Sequence, residues 1–288
     1  MFNHIVILRN DIKSILSKNR VLKGNYSFLL THLRIKFKQI FFKILGIKKT
    51  KEKFLGIEFS FSDYGVFSHL WREIFVTESY AFSSDTDSPT IIDVGSNIGM
   101  SICYFKKCYP KAKVIGFEPD PESFSYLKKN IELNKFSDVS IHNVAISANE
   151  GTLTFYQDKA VGASLVNSLK SSAMHGKKTT SINVPSRKLS GFINGKVDLM
   201  KIDIEGAEYG VFQEITGKLH NVHNIFLEVH QGEGIENEPI GELLKTLEDS
   251  GFRYAITGSW GFLSHADFIS SPSRPYALML DAKRYSHN

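Results

Sequence analysis

The chain has 288 residues, 42% hydrophobic and 23% charged, a balance that excludes a disordered or fibrous protein and suits one large domain or a domain with an appendage. Its net charge of +5 is unevenly spread: residues 1–53 hold 13 Lys and Arg against 2 Asp and Glu, so the remainder is net acidic. No apolar run is long enough to span a bilayer, and the first residues lack a basic, cleavable leader, so a cytoplasmic protein is expected.

Residues 26–49 read as a basic amphipathic helix, with Leu30, Leu33, Phe37, Ile40, Phe41 and Ile44 in one stripe at helical spacing. Gly46 and a lysine-rich run end it. The stripe is expected to pack on the rest of the chain; the alternative is peripheral contact with the inner face of a membrane. The charge split predicts a helical extension over residues 1–53 and a second domain over 54–288. Residues 58–62 alternate like a strand. Residues 68–79 read as a helix with Leu70, Trp71, Ile74 and Phe75 on its apolar face, either a lid over a ligand or plain packing.

From Thr90 strands and helices alternate, which predicts a mostly parallel sheet covered by helices. Strands are expected at 90–94, 113–118, 139–146, 197–203 and 225–230, with helices at 99–108, 121–134, 207–219 and 240–249. Asp120 and Pro121 open the second of these helices. Cys103 and Cys108 fall in the first, with spacing that fits neither a disulfide nor a metal site, and read as free thiols. Residues 151–156 alternate as a short antiparallel strand, 157–185 read as a polar loop, and 252–257 and 276–282 as the final strands.

The run from Asp93 to Gly99 is the most informative part of the chain. An apolar β-branched strand ends in Gly95-Ser96-Asn97-Ile98-Gly99, and a helix comes at once. Such a turn brings backbone N–H groups close to a ligand. The dinucleotide fingerprint needs a further glycine, and position 97 is Asn. Asp93 would repel a pyrophosphate but favour a cationic amino group. The next strand leads into Glu118, which can accept both hydroxyls of a ribose. Together these point to S-adenosylmethionine (SAM) rather than NAD.

Three carboxylates, Asp203, Glu205 and Glu208, lie at and after the end of the strand at 197–203, and Glu228-Val229-His230 ends its neighbour. Glu228 and His230 are two apart and share a face. Asp203, Glu228 and His230 are therefore expected to converge at the carboxyl ends of adjacent strands. Two chemistries suit them: general-base activation of a hydroxyl, or a divalent metal site for Mg²⁺ or Mn²⁺.

In this order, Asp93-Val94-Gly95-Ser96-Asn97-Ile98-Gly99, Phe117-Glu118-Pro119, Asn143-Val144-Ala145-Ile146-Ser147, Lys201-Ile202-Asp203-Ile204-Glu205-Gly206-Ala207-Glu208 and Glu228-Val229-His230 resemble the motifs of FkbM-type SAM-dependent methyltransferases. The resemblance covers roughly residues 90–258. It implies a class I methyltransferase fold, a Rossmann-like α/β architecture with a seven-stranded mixed sheet. It also implies O-methylation of a hydroxyl on a sugar, glycan or polyketide-like acceptor. Asp93, Gly95, Asn97, Gly99 and Glu118 would hold SAM, with Asn143 and Ala145 near the adenine. The alternatives are a Rossmann-type dehydrogenase and a SAM-binding interaction module without catalysis. Nucleic acid is not expected as a partner, because the basic segment lacks interleaved stacking residues and the remainder is acidic.

Overall fold

The computed structural model describes residues 2–23, 26–158, 179–204, 206–231, 239–258 and 276–285. The chain opens with helices α1 (Phe2–Ile15) and α2 (Tyr26–Leu45), then a hairpin of β1 (Lys51–Phe54) and β2 (Ile57–Ser60). Helix α3 (Tyr64–Leu70) starts where the Asp63 carboxylate accepts the N–H groups of Gly65 and Val66, and it runs directly into a π-helical segment, Trp71–Val76. The α/β alternation begins with β3 (Thr90–Val94), α4 (Met100–Cys108), β4 (Lys113–Phe117), α5 (Pro121–Leu133) and β5 (Val139–His142). Next come β6 (Ala145–Ile146), β7 (Gly151–Asp158) and β8 (Thr179–Arg187). The chain returns through β9 (Val197–Ile202), α6 (Glu208–Glu214), β10 (Val222–Gln231), α7 (Ile240–Asp249), β11 (Phe252–Gly258) and β12 (Tyr276–Arg284).

Seven strands form the main sheet in the order β11-β12-β10-β9-β3-β4-β5. The five from β10 to β5 are parallel, and β12 inserts antiparallel between β10 and β11. This is the mixed sheet expected of a class I methyltransferase. The middles of the central strands β3 and β9 are apolar because both faces are covered: Ile91, Ile92, Leu199 and Met200 are fully or almost fully buried. The chain moves outward from β3 to β5 and then restarts at β9 on the other side. A crevice therefore opens at the carboxyl ends of β3 and β9, where the strand order reverses.

Several boundaries differ from those expected. The strand expected over 139–146 stops at His142. The Asn143 side chain instead donates to the carbonyls of Glu118 (2.8 Å) and Pro119 (3.1 Å), and Ala145 and Ile146 pair with β8 in a separate three-stranded sheet. The polar loop expected over 157–185 ends in strand β8; residues 159–178 lie outside the described residues. The helix expected over 207–219 closes at Glu214 and tightens into a 3-10 segment, Thr216–Asn221.

The N-terminal segment packs on the rest of the chain through a face other than the one expected. Residues 1–53, expected as a basic helical extension, contribute to one hydrophobic cluster with the α3 region and the sheet. Ile15, Phe28, Ile35 and Phe54 are buried together with Trp71 and Phe75 of the π-helical segment. The Phe54 ring meets Trp71 at 5.0 Å and Phe75 at 5.3 Å, both edge-on. A polar chain locks the same contact: Trp71 Nε1 donates to His32 Nδ1 at 3.2 Å, His32 Nε2 lies 3.3 Å from Asp11, and Asp11 accepts Arg72 Nε at 2.8 Å. Burial would raise the Asp11 carboxyl, but His32 and Arg72 hold it below the ordinary value. Helix α2 is also turned about from expectation. Phe28, His32 and Ile35 face the core, and the stripe from Leu30 to Ile44 faces outward.

Candidate active site

The crevice holds a cavity of about 290 Å³. Its floor runs along the sheet order, from Glu228 on β10, through Asp203 after β9 and Gly95 after β3, to Glu118 after β4. Val144, Ala145 and Ile146 wall the Glu118 end, and His69, Leu70, Glu73 and Ile74 from α3 and the π-helical segment also line it. Trp71 and Phe75 pack inward, while Leu70 and Ile74 border the cavity.

Two glycines make the turn possible. Gly95 has φ +81°, and a Cβ there would sit 1.9 Å from the Asp203 carbonyl oxygen. Gly99 has φ +89°, and its Cβ would meet Leu127 at 2.7 Å. A side chain at Gly95 would collide with the Asp203 backbone, and at both positions the positive φ is one that side chains rarely adopt. Asn97, also at positive φ, gives its N–H to Glu118 at 2.8 Å, and the Asp120 N–H reaches the other Glu118 oxygen at 2.9 Å. Each oxygen keeps a lone pair for a further donor. Burial pushes the Glu118 carboxyl up to about 8, against the two N–H donors that favour its charge.

Asp93 and Gly99 do not line the cavity. Asp93 is fully buried beneath the turn, accepts Ser101 Oγ at 2.6 Å and lies 3.5 Å from Lys201 Nζ. Asn143 also stands back, fixing the loop after Glu118. Gly95, Asn97, Glu118 and Ala145 face the cavity.

Lys201 belongs to the most specific sequence motif, yet the sequence alone assigns it no role. It sits directly across the parallel ladder from Asp93 and two residues before Asp203. Its ammonium donates to the Gly95 carbonyl at 2.6 Å, stands 3.4 Å from Asp203 and lies 5.2 Å from the centre of the Tyr80 ring. Burial opposes its charge, but Asp203 and Asp93 outweigh burial and keep it protonated more firmly than an ordinary lysine. Tyr80 is held far above the usual phenol range by burial and then by Glu73, Asp203, Glu228 and Asp93. A lysine two residues before Asp203 in a fully buried strand is the sequence signal for Lys201. Nothing local in the sequence marks Tyr80, Glu73 or His69, which enter through tertiary packing.

Asp203 and Glu228 come together. The ladder pairs Leu227 with Ile202, so Glu228 stands beside Asp203, and both line the cavity. His230 does not line it. Its Nδ1 lies 2.9 Å from Glu208 Oε1, both side chains being buried. The same Glu208 oxygen accepts the N–H of Gly206 at 2.9 Å, bracing the turn after Asp203. Glu205 lies outside the described residues. Among the described residues no group of three or more His, Cys, Asp or Glu is placed to hold a metal ion. The expected set of Asp203, Glu228 and His230 does not fit one, because His230 turns to Glu208 and Asp203 to Lys201.

A family model described as the methyltransferase FkbM domain matches residues 93–254, from the buried aspartate before the turn to β11. The chain belongs to the FkbM family of SAM-dependent methyltransferases. It is 32% identical over 213 residues to methyltransferase sdnD of Sordaria araneosa, covering 64% of this chain and 81% of that one. It is 29% identical over 140 residues to the hexuronic acid methyltransferase AglP of Haloferax volcanii, covering 49% and 55%. It is 26% identical over 174 residues to the 2-O-methyltransferase NoeI of Sinorhizobium fredii, covering 55% and 71%. The FkbM match spans Gly95, Glu118, Asp203 and Glu228 of the cavity floor, and the dehydrogenase alternative falls away.

The site fits SAM on its own geometry. The Gly95 turn packs tightly on the Asp203 backbone and borders the cavity, and the buried Glu118 keeps acceptor capacity for a diol. Even with Glu118 left out as protonated, the lining carboxylates Glu73, Asp203 and Glu228 outnumber the lining cation Lys201, a balance that suits a positively charged ligand.

Proposed function

We propose that this methyltransferase O-methylates a hydroxyl group of a sugar, glycan or polyketide-like acceptor, with SAM along the turn from Gly95 to Asn97 and its ribose on Glu118. The observation that carries this reading is the placement of Asp203 and Glu228 side by side at the other end of the cavity floor from Glu118. The names of AglP and NoeI, which speak of a hexuronic acid and of 2-O-methylation, support the acceptor class.

Bound SAM supplies the sulfonium methyl group. The chain's own residues do the rest. Gly95 and Asn97 orient the donor, and Ala145 and Ile146 cover its far end. The acceptor hydroxyl enters beside Asp203, which accepts its hydrogen bond and takes the proton as the new bond to carbon forms. Lys201 fixes the Asp203 carboxylate beside the Gly95 carbonyl, so donor and base share one anchor. Glu228 and Glu73 add negative charge around the acceptor end. His230 works through Glu208, holding the turn that carries Asp203.

Calorimetry with S-adenosylhomocysteine tests the donor half. Wild-type protein should bind it and not NAD. Glu118→Ala, which removes two charge-assisted acceptors, should weaken binding by about 2–4 kcal/mol. Binding of NAD without S-adenosylhomocysteine would overturn the reading.

A further inference from the structure

Helix α2 has two apolar faces and uses only one of them inside the molecule. Phe28, His32 and Ile35 are buried against the core. On the opposite side Leu30, Leu33, Phe37, Ile40, Phe41 and Ile44 are 49%, 38%, 67%, 61%, 43% and 75% exposed. At about 100° per residue the two sets centre on opposite sides of the helix. Tyr26, Leu45 and Ile47 extend the outer stripe at either end. Phe37 and Phe41 stack on each other at 5.8 Å, so the outer face is already a continuous surface. Single exposed hydrophobics are ordinary, but a contiguous stripe along a whole helix marks an interaction surface.

The charge around the stripe says what covers it. Between Asp11 and Glu52 the sequence contains no acidic residue, while Arg34, Lys43, Lys48 and Lys49 stand exposed around and just beyond α2. The rest of the molecule is net acidic. An apolar stripe in a basic rim matches a bilayer surface, with acyl chains under the stripe and anionic headgroups against the lysines. A second copy would bring the same basic rim against itself. Among the described residues no helix is long and apolar enough to cross a membrane, so the helix lies along the surface.

We infer that the outer face of α2 docks the protein on a bilayer containing anionic phospholipid. The inner face of the same helix packs on α3, through Ser68 to Gln39 at 2.9 Å and the Tyr64 ring on Phe42 at 5.1 Å. His69 and Leu70, at the end of α3, line the cavity. Docking therefore sets one cavity wall a single helix layer from the lipid. The inference rests on exposure and charge, independently of the acceptor's identity.

The test uses the full chain and vesicles of phosphatidylcholine, alone or mixed with phosphatidylglycerol. The protein should sediment with the mixed vesicles at low salt, less at high salt, and not with phosphatidylcholine alone. The triple variant Phe37→Glu, Ile40→Glu, Ile44→Glu should lose about tenfold or more of this binding while keeping the wild-type melting temperature, because all three side chains are exposed. Protein that stays in the supernatant with mixed vesicles at low salt would overturn the inference. So would a triple variant that binds like wild type. A lipid-free dimer that the triple variant converts to monomer, with no vesicle binding by wild type, would assign the face to a second copy and equally overturn it.

Discussion

His230 Nδ1 meets Glu208 Oε1 at 2.9 Å behind the cavity wall, and the same oxygen receives the Gly206 N–H. The imidazole thereby touches the residue that braces the turn after Asp203, and under the proposed function it positions that turn. His230→Ala and Glu208→Gln should each lower the melting temperature and reduce kcat by about tenfold, with the pH profile of the remaining activity unchanged in shape. If His230→Ala instead removed a limb of the profile, the imidazole would be the base.

Lys201 is the only buried cation between Asp93 and Asp203 among the described residues. Lys201→Met would leave two carboxylates beside each other without a counter-charge. It should cost about 3–5 kcal/mol in urea unfolding, and adding Asp93→Asn should recover part of that loss. A loss under about 1 kcal/mol would show that the carboxylates are satisfied by other means.

Glu118 gives a pH dependence with a definite sign. Its carboxyl is raised from 4.5 to about 8 by burial, so near neutrality the ligand-free protein holds a proton there. The ionised form is the stronger acceptor for ribose hydroxyls. Affinity for S-adenosylhomocysteine should therefore rise as pH increases toward about 8 and level off above it, with proton release on binding. In the ligand-free protein the folded state keeps this proton over the same window while the unfolded chain loses it, so the group's contribution to stability falls as pH rises from 4.5 to about 8. Glu118→Gln should flatten both trends. A wild-type affinity profile identical to that of Glu118→Gln would refute the assignment.

The N-terminal helices share a hydrophobic cluster with the α3 region and the sheet. A truncation beginning at Phe54 would cut through the hairpin of β1 and β2 and strip Trp71 and Phe75 of Phe28 and Ile35. It should be insoluble or lack a cooperative melt. Phe28→Ala in the full chain should cost about 3–5 kcal/mol. A soluble truncation with a sharp thermal transition would show that the methyltransferase domain stands alone.

The features legible in the sequence are those fixed by local chemistry. A β-branched run ending in Gly95 and Gly99 dictates strand, turn and helix, and Glu118 after the next strand has few places to go. Strand adjacency then brings Asp203 beside Glu228. The direction of a side chain behind the strand ends is not legible. His230 shares a strand with Glu228, yet its partner, Glu208, comes from the helix packed over it. Helix α2 misleads for a related reason. Periodicity finds apolar faces but does not say which one is inward. The inward face here carries a histidine that reads as polar until it is seen to accept from Trp71 and to face Asp11 at 3.3 Å. The π-helical segment is half legible: its apolar residues stand out, but their division between core and cavity depends on the extra residue in the turn.

The most direct measurement is transfer of an isotopically labelled methyl group from SAM to saccharide acceptors, with the product's linkage read by mass spectrometry. Wild-type protein should place the label on a hydroxyl oxygen. Asp203→Asn should lower turnover by about 10²-fold or more while its affinity for S-adenosylhomocysteine stays near wild type. Label on nitrogen or carbon, or an Asp203→Asn variant as fast as wild type, would contradict the account; SAM binding without transfer to any hydroxyl-bearing acceptor would leave the chain a binding module.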